Sequence, residues 1–306
     1  MDIGVVLVTY NRKAKLEKSL KKFEEQVQKP SYIIIVDNAS TDGTDELLKI
    51  WKSKPSTYQK IVITNTENVG GSGGFYLGLS MSLKLEANWV WVSDDDAYPE
   101  QDALKEVNDY LENYDQSEGK LAAICGAVYV GDQIDVSHRR ISSLRFLRID
   151  DRAVELPLYR NRAFDINEFS YVGTVISKEA MYKAGLVNKD YFIHYDDTEH
   201  SLRLSKYGRI VCIPSVKIIH DISQTQSPTN KMYMSSWTKY YDYRNLLDMY
   251  RNIYPKKYYI IQYSLYRMKS LLYPFFGMNN DEKKILDASL YDAKNHRLGI
   301  HKVYNP

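Results

Sequence analysis

Strand-like and helix-like segments alternate regularly over the first part of the chain. Short apolar runs rich in β-branched residues predict strands, and the amphipathic or glycine-led segments between them predict helices. Repeated units of this kind predict an α/β fold with a mostly parallel sheet and right-handed crossovers. The predicted strands are IGVVLVT, YIIIVD, IVITN and WVWVS, and the predicted helices are RKAKLEKSLKKFEEQV, STDGTDELLKIW and GFYLGLSMSLKLE.

The second part of the chain has fewer crossovers. LAAICGAVYV predicts a strand, and FSYVGTVISKEAMYKAG predicts a strand that continues into a helix. YDDTEHSLRLSKYG predicts a helix that stops at Gly208, and RIVCIPSVKIIHD predicts a strand that ends at His220 and Asp221. Residues 131–168 include the arginine-rich segment HRRISSLRFLR and are expected to form a mobile insertion over one face.

Polar side chains cluster where the predicted strands of the first part end. In open parallel sheets, ligands bind beyond the carboxyl ends of the strands. The sequence therefore predicts a binding site at this edge of the sheet. The polar positions are Thr9, Tyr10, Asn11, Asp37, Asn38, Asn65, Asn68, Asp94, Asp95 and Asp96.

Three consecutive aspartates, Asp94, Asp95 and Asp96, follow the apolar run WVWVS. Each close pair of carboxylates costs roughly a few kcal/mol at a partly buried site, and no lysine or arginine stands nearby in the sequence. A solvated acidic turn is the alternative, but the apolar strand buries the bases of these residues. A divalent cation with hard oxygen ligands, Mg²⁺ or Mn²⁺, would relieve the repulsion. Pro99 predicts the first turn of a following helix.

The glycine-rich run NVGGSGGF, residues 68–75, does not match the dinucleotide fingerprint, and a P-loop pattern is absent from the sequence. It predicts a loop that opens a helix, whose free amide groups could face a diphosphate; a plain tight turn is the alternative. In VDNASTDGT, Asp37 could accept hydrogen bonds from a base or a ribose, or it could bond only to amide groups of its own turn.

A second acidic cluster lies in FIHYDDTEHSLR, where Asp196, Asp197 and Glu199 stand beside two histidines. Neighbouring carboxylates raise one another's pKa and can prepare one of them as a general base. Acids that only complement a helix dipole are the alternative. His220 follows a strand and precedes Asp221, so it is either a metal ligand or a structural histidine.

Charge and composition divide the chain near Ser223. Residues 223–306 contain 13 Lys/Arg and 6 Asp/Glu and hold 13 of the 27 tyrosines, whereas residues 1–222 contain 28 Lys/Arg and 33 Asp/Glu. We therefore expect a catalytic domain at 1–222 and a basic, mainly helical extension at 223–306. Cys125 and Cys212 lie in apolar runs and are expected to be buried thiols in a reducing compartment. The start MDIGVVLVTYN has no basic leader, which favours a cytoplasmic protein.

Taken together, these segments resemble glycosyltransferase family 2 with the GT-A fold. The matching pieces are VVLVTYNR, IIIVDNASTDGT, NTENVGGSGGF, WVWVSDDDAYP and FIHYDDTEHSLR, which cover most of residues 3–220 in the family's order. NVGGSGGF and the later WTKYYDYRN look closer to the bacterial galactofuranosyltransferase and rhamnosyltransferase branch. The Q-x-x-R-W motif of the processive branch is missing from the sequence, which favours the addition of one or a few sugars.

The resemblance implies an inverting transfer from a nucleoside-diphosphate sugar to a glycan or lipid-linked glycan, with Mn²⁺ or Mg²⁺ as cofactor and no nucleic acid as partner. It implies that Asp197 is the general base, beside Asp196 and followed by the motif's arginine, Arg203. The implied metal ligands are Asp94, Asp96 and His220, and the implied donor-binding residues are Thr9, Tyr10, Asn11, Arg12, Asp37, Asn68, Gly71, Gly73 and Asp95.

Two other functions compete with this one. A nucleotide-sugar-binding scaffold without turnover is disfavoured by the intact Asp94, Asp96 and Asp197. A sugar-phosphate nucleotidylyltransferase should carry a glycine-rich, basic loop after the first strand, where this chain has TYNRKAK.

The tail contains a second surface of interest. In KYYIIQYSLYRMKSLLYPFF, apolar residues at three- and four-residue steps mark one stripe of a helix, but Arg267 and Lys269 interrupt it, so a membrane-spanning helix is not expected. The helix either packs on the catalytic domain or on a second subunit, or it lies on an anionic membrane at the inner face. The stripe consists of Ile261, Leu265, Met268, Leu272 and Phe275.

Overall fold

The structure, a computed structural model, describes residues 2–222, 236–273 and 280–305. Its strands are β1 (Ile3–Thr9), β2 (Tyr32–Asp37), β3 (Gln59–Thr64), β4 (Trp89–Asp94), β5 (Ala97–Pro99), β6 (Leu121–Val130), β7 (Gln133–Ile134), β8 (Arg139–Leu144), β9 (Ile149–Ala153), β10 (Phe164–Ile166), β11 (Glu168–Phe169), β12 (Val172–Ser177) and β13 (Arg209–His220). Its helices are α1 (Lys13–Glu24), α2 (Thr44–Ser53), α3 (Gly70–Ser82), α4 (Ala103–Glu112), α5 (Lys178–Ala184), α6 (Asp196–Leu204), α7 (Ser236–Ile253), α8 (Lys256–Leu272) and α9 (Asn280–Lys294).

The central sheet has the strand order β10-β13-β6-β12-β4-β1-β2-β3, with β5 paired to β13 and β7 paired to β6. The pairs β1–β2, β1–β4, β2–β3 and β6–β13 are parallel, whereas β12 and β10 run antiparallel to their neighbours. The predicted mostly parallel sheet is therefore confirmed. β1 and β2 are buried along their whole length, which is why both read as unbroken apolar runs.

Helices cover both faces of this sheet, as the alternating sequence pattern predicts. On one face α1 buries Leu16, Leu20 and Phe23, one side of the helix, and the ring of Phe23 meets Trp91 edge-on at 6.0 Å. On the other face α3 lies unusually close to the sheet because its inward positions are glycines. A Cβ atom on Gly78 would come within 2.3 Å of Val6.

Two expectations about local structure are wrong. Pro99 does not begin a helix: it ends β5, which pairs antiparallel with β13, and α4 begins only at Ala103. The segment 131–168 is not an unstructured insertion, since β8 and β9 form a hairpin that pairs with β11 in a second sheet of order β11-β8-β9. In both cases pairing with a distant strand outweighs the local sequence signal.

The predicted helical extension is confirmed by α7, α8 and α9, which pack on one another around Leu247, Leu286 and Leu290. The proposed boundary near Ser223 lies outside the described residues and stays a prediction, as does the assignment of Phe275 to the apolar stripe. Both cysteines are buried free thiols. In the described ranges no helix combines the length and hydrophobicity needed to cross a membrane.

Candidate active site

A cleft of about 330 Å³ opens at the carboxyl ends of β1 and β4, between the start of α3 and the start of α7. This is the edge of the sheet at which the sequence predicts a ligand. Of the predicted site residues, Thr9, Tyr10, Arg12, Asn68, Gly71, Asp94 and Asp95 line the cleft. The other lining residues are Val8, Asn38, Gly70, Phe192, Ile193 and Trp237.

Side chains from the β1–α1 region form hydrogen bonds and ion pairs with two of the three aspartates, Asp95 and Asp96. Thr9 Oγ1 donates a 2.7 Å hydrogen bond to Asp95 Oδ2. Arg12 Nη1 donates to Asp96 Oδ2 at 2.8 Å and to Asp95 Oδ1 at 3.3 Å, and Lys15 Nζ lies 3.5 Å from Asp96 Oδ2. In the fold the acidic run therefore has the basic partners Arg12 and Lys15, although no lysine or arginine stands near it in the sequence.

These contacts give the three carboxyl groups different pKa values. Burial raises the pKa of Asp94 well above its ordinary value, and the charges of Asp96 and Asp95 raise it further. Burial also raises the pKa of Asp95, to about 6, against the opposing charge of Arg12. At Asp96 burial acts in the same direction, but the hydrogen bond from His220 and the charge of Arg12 outweigh it and lower the pKa. Asp96 is thus the carboxylate of the three that is most firmly ionised.

His220 reaches the acidic run because β5 pairs with the end of β13. The pairing places His220 opposite Ala97, next to Asp96 in the chain, and His220 Nε2 lies 3.5 Å from Asp96 Oδ1. His220 Nδ1 is buried and has no hydrogen-bond partner among the described residues. Carboxylate oxygen and imidazole nitrogen are ligands that Mn²⁺ accepts, so the side chains of Asp96 and His220 fit a divalent cation.

The described residues contain no ready-made group of three or more His, Cys, Asp or Glu side chains with the spacing of a metal centre. The geometry gives the reason: the Arg12 guanidinium already lies against Asp95 and Asp96 and supplies the positive charge there. A cation bound by Asp96 and His220 would require the Arg12 side chain, which is half exposed, to turn toward solvent.

Among the glycines of residues 68–75, Gly71 lines the cleft and has open space where a side chain would stand. A Cβ atom added to Gly71 would meet nothing within 4 Å. Added to Gly70, whose φ is +75°, it would lie 2.1 Å from the carbonyl oxygen of Phe192, and on Gly74 it would lie 2.6 Å from Val8. Gly70 and Gly74 are therefore required for packing, whereas Gly71 leaves room for something outside the protein.

Three predicted donor-binding residues do not line the cleft. Asn11 bonds to the β2–α2 loop, because its Oδ1 accepts from the Thr41 amide at 2.7 Å. Asp37 is buried, and its Oδ1 accepts from the Ser40 amide at 3.0 Å. Gly73 packs against Val69 and faces a neighbouring cavity on the far side of α3.

The second acidic pair stands at the first turn of α6, directly after the loop whose Phe192 and Ile193 line the cleft. Burial and the charge of Asp197 raise the pKa of Asp196 to about 7. Burial also raises the pKa of Asp197, whose Oδ1 accepts from the Thr198 amide at 2.7 Å. The charge of Asp196 contributes to the raised pKa of Asp94. The two acidic motifs, separated by about a third of the chain, therefore lie close enough to interact.

The loop before α6 has a strained backbone. Phe192, His194 and Tyr195 have φ values of 67°, 68° and 64°, a region that non-glycine residues rarely occupy. Two buried residues of α7 hold this loop. Asn245 Nδ2 donates to the carbonyl oxygens of Tyr191, Ile193 and His194 at 3.0, 2.8 and 2.9 Å, and Arg244 Nη2 donates to that of Tyr191 at 3.1 Å.

Sequence reasoning missed Arg244 and Asn245 as site-supporting residues and Trp237 as a wall of the cleft. The one available signal was the segment WTKYYDYRN, which contains all three. Their roles depend on contacts with the loop 191–195, about 50 residues earlier in the chain, so no local pattern could reveal them.

Beyond Asp197 lies a group of tyrosines and acids contributed by the second sheet and α7. Tyr254 and Ser142 share a hydrogen bond of 2.9 Å. Glu168 is 2% exposed, and burial together with Asp151 raises its pKa to about 8, with a further contribution from Asp197. This region is therefore adjacent to Asp197 on the side away from the aspartate run.

The chain matches a known protein family and several of its members. The model of the family described as "Glycosyl transferase family 2" matches residues 4–189. The chain is 39% identical over 97 residues to the galactofuranosyltransferase GlfT1 of Mycolicibacterium smegmatis, covering 32% of this chain and 30% of that protein. It is 27% identical over 226 residues to the dTDP-rhamnosyl transferase RfbF of Shigella flexneri, covering 72% of this chain and 69% of that protein. The matched segment thus spans about a third of the galactofuranosyltransferase.

A solved structure shows the same fold. The mannosyltransferase PcManGT from Pyrobaculum calidifontis, in complex with GDP-Man and Mn²⁺, superposes with a TM-score of 0.56 at 16% identity, covering 96% of this chain and 75% of that chain. The predicted GT-A architecture is confirmed.

Proposed function

Since this chain belongs to glycosyl transferase family 2, we propose that it transfers a sugar from a nucleoside-diphosphate sugar to a hydroxyl group of a glycan or lipid-linked glycan, with inversion. The observation that carries the proposal is that two acidic motifs approach each other at the cleft. Asp94 lines it together with Phe192 and Ile193, which belong to the loop before Asp196, and the charge of Asp196 contributes to the raised pKa of Asp94. The relatives named as galactofuranosyl and rhamnosyl transferases support a sugar of this kind. We propose a bacterial surface polysaccharide as the product.

The donor binds in the cleft between β1, β4 and α3. Gly71 stands at the start of α3, where the helix dipole favours the negative diphosphate, although the amides of Gly70 and Ser72 already donate to Asn68 and Phe192. Asp95, fixed by Thr9 and Arg12, accepts hydrogen bonds from a sugar or ribose hydroxyl. The ring of Trp237 closes the cleft from α7.

Asp96 and His220, with Asp94 close by, would hold a divalent cation. When bound, Mn²⁺ or Mg²⁺ acts as a Lewis acid that offsets the charge on the departing diphosphate. Arg12, which lies 2.8 Å from Asp96, would be free to contact a phosphate oxygen if a cation took its place there.

Asp197 acts as the general base. An acceptor oxygen attacks the anomeric carbon from the face opposite the diphosphate, the bond from carbon to the diphosphate oxygen breaks, and the hydroxyl proton passes to the Asp197 carboxylate. Burial raises the pKa of Asp197, which favours its taking up that proton. Asp196 has a different role: its charge acts on Asp94, so it lies on the donor side of the pair.

The acceptor sugar lies beyond Asp197, among tyrosines at the start of α6 and near the end of α7. Tyr195, Tyr250 and Tyr254 present aromatic faces with polar tips, a combination suited to a polyhydroxylated ring. Burial and neighbouring acids raise the pKa values of all three, so they stay neutral hydrogen-bond donors.

The test measures release of nucleoside diphosphate from UDP-galactofuranose, dTDP-rhamnose, UDP-GlcNAc and GDP-mannose, with octyl glycosides as acceptors. We expect one donor to be consumed with Mn²⁺ or Mg²⁺ and transfer to stop in excess EDTA. Asp197→Asn should reduce kcat by about 100-fold or more with donor affinity nearly unchanged, while Asp96→Asn should weaken metal dependence. Full transfer in EDTA would refute the metal assignment, and a mild Asp197→Asn beside an inactive Asp196→Asn would exchange the two carboxylates.

A further inference from the structure

The tip of the β8–β9 hairpin exposes large apolar side chains. Phe146 is 81% exposed, Leu147 58% and Leu144 49%. The turn is closed by a 2.9 Å hydrogen bond from the Arg145 amide to the carbonyl oxygen of Arg148, so these side chains project from an ordered hairpin. An aromatic ring with this exposure gains nothing from the fold and is favoured only if something covers it.

Helix α8 is turned so that its aliphatic residues face outward. Leu271 is 64% exposed, Met268 52%, Ile260 49% and Leu265 48%. Its inner side is formed by tyrosines, with Tyr259, Tyr263 and Tyr266 packed against α7 and α9. Of the predicted apolar stripe, Leu265, Met268 and Leu272 are exposed and Ile261 is partly buried, whereas Phe275 lies outside the described residues. Packing on the rest of the described chain therefore leaves most of the stripe uncovered.

The hairpin tip and α8 form one continuous surface, which we call the apolar–basic face: residues 144–148 and the outward side of α8. Lys257 Nζ lies 5.7 Å from the ring centre of Phe146, and the Tyr258 hydroxyl donates a 2.7 Å hydrogen bond to the carbonyl oxygen of Arg145. Because these contacts join a segment from the middle of the chain to one near its end, no local sequence pattern indicates that the two segments are neighbours.

The charges around this face are predominantly positive. Arg145, Arg148, Lys256, Lys257 and Arg267 stand at its edge, and α8 contains no acidic residue. Arg145 has Asp150 at 3.5 Å and Arg267 has Asp287 at 3.8 Å. Lys269 does not belong to the face, because its ammonium group donates to the Tyr243 hydroxyl at 2.9 Å.

We propose that the apolar–basic face docks on an anionic lipid bilayer, with Phe146 and Leu147 inserted and the basic residues at the level of the headgroups. Apolar side chains ringed by lysine and arginine are the composition of interfacial membrane anchors. The projecting hairpin suits insertion, and its charge complements an acidic lipid surface. The inference goes beyond sugar transfer and does not depend on it, although it would place the cleft near lipid-linked acceptors.

The test is flotation of the full chain with phosphatidylcholine vesicles, with and without phosphatidylglycerol, at low and high salt. We expect binding to the anionic vesicles alone, weakened by salt. Each basic residue near such a surface contributes about fivefold to partitioning, so Lys256→Glu with Lys257→Glu should reduce binding by at least about 25-fold. Phe146→Ser with Leu147→Ser should reduce it by about tenfold or more, since most of the inserted area is lost.

Matched controls lie on other surfaces of the protein. Lys52→Glu with Lys54→Glu makes the same charge change at exposed residues at the end of α2. Val27→Ser with Ile50→Ser removes apolar side chains that are 60% and 59% exposed. Both controls should float as the wild type does.

Light scattering and transfer to a soluble octyl glycoside complete the test. A monomeric wild type that floats, with hairpin variants that lose flotation but keep soluble transfer, supports the proposal. A wild type that fails to float, or hairpin variants that float equally well, overturns it. So does a dimer that the Phe146 and Leu147 substitutions dissociate, because the face would then join two copies of this chain. If the wild type transfers no sugar to the soluble octyl glycoside, that result would instead refute the proposed function.

Discussion

Replacing Asn245 by alanine should separate catalysis from donor binding. The Asn245 side chain is fully buried and bonds to three carbonyl oxygens of the loop that precedes Asp196 and Asp197. An amide has two N–H groups, so three acceptors share two hydrogens. Asn245→Ala removes both donors and leaves Tyr191 with its Arg244 contact and Phe192 with the hydrogen bond from the Ser72 amide.

The magnitude follows from the strain that these bonds oppose. Three non-glycine residues at positive φ cost about 1–3 kcal/mol each, or about 3–9 kcal/mol together. Losing two donors to buried carbonyl groups costs about 2–4 kcal/mol, which is comparable to the strain. We therefore expect the loop to relax and the carboxylates at the start of α6 to shift. A displacement of about 1 Å can reduce a rate about 100-fold.

The assay compares kcat, donor KM and thermal unfolding of the wild type with those of two variants. Asn245→Ala should reduce kcat by about 100-fold and lower the melting temperature by a few degrees. It should change donor KM less than kcat, because Thr9, Gly71 and Asp95 are untouched, although Phe192 and Ile193 of the loop line the cleft. Asn245→Asp keeps the shape but turns donors into acceptors, so it should be at least as damaging.

The matched control is Asn252→Ala, which removes an exposed amide on the same helix whose hydrogen bond to Asp248 measures 2.9 Å. It should leave kcat unchanged. If Asn245→Ala folds and keeps kcat within about twofold of the wild type, where a 100-fold loss is expected, the hydrogen bonds to the loop do not position the carboxylates, and the reasoning fails.

Three further predictions concern other parts of the site. Gly71→Ala should leave the melting temperature nearly unchanged, since its Cβ meets nothing within 4 Å, but should raise donor KM about tenfold by intruding on the diphosphate; an unchanged KM would place the donor elsewhere. Glu168 has its pKa raised from 4.5 to about 8, so the folded state holds the proton more tightly and stability falls as pH rises through that range; Glu168→Gln should flatten this decline in urea unfolding, and an unaltered pH profile would contradict the assignment. Arg12→Met should destabilise the metal-free protein, because it leaves Asp95 and Asp96 without their guanidinium partner, yet should tighten Mn²⁺ binding measured by calorimetry; weaker Mn²⁺ binding would show that Arg12 does not compete with the cation.

The sheet was predictable because its signal is local. A strand buried on both faces is apolar over most of its length, and β1, β2 and β4 are apolar in consecutive residues up to the polar Thr9, Asp37 and Ser93 near their carboxyl ends. The position of the cleft was predictable for a related reason, since the order of a parallel sheet determines which strand ends meet.

Two features could not be predicted from the sequence: which glycine of α3 faces the cleft, and which basic residue pairs with the aspartate run. Sequence reasoning treated Gly71 and Gly73 alike, but one faces the cleft and the other packs on Val69, a difference set by how α3 rests on the sheet. It also found no basic side chain near the aspartate run. Arg12 lies more than 80 residues earlier in the chain and reaches the run only because β1 pairs with β4.

Two features of the site are destabilising, and each is stabilised by residues distant from it in the sequence. Three adjacent aspartates and a loop with three positive φ values would each be unstable alone. The first is stabilised by Arg12 from the start of the chain, and the second by Arg244 and Asn245 from α7. Residues of α7 therefore contribute to the geometry of the candidate site as well as to the surface. A fragment that ends at residue 222 would keep the aspartates and Arg12 but would lack the donors that bond to the acidic loop, so we expect the candidate site to extend past the compositional boundary near Ser223.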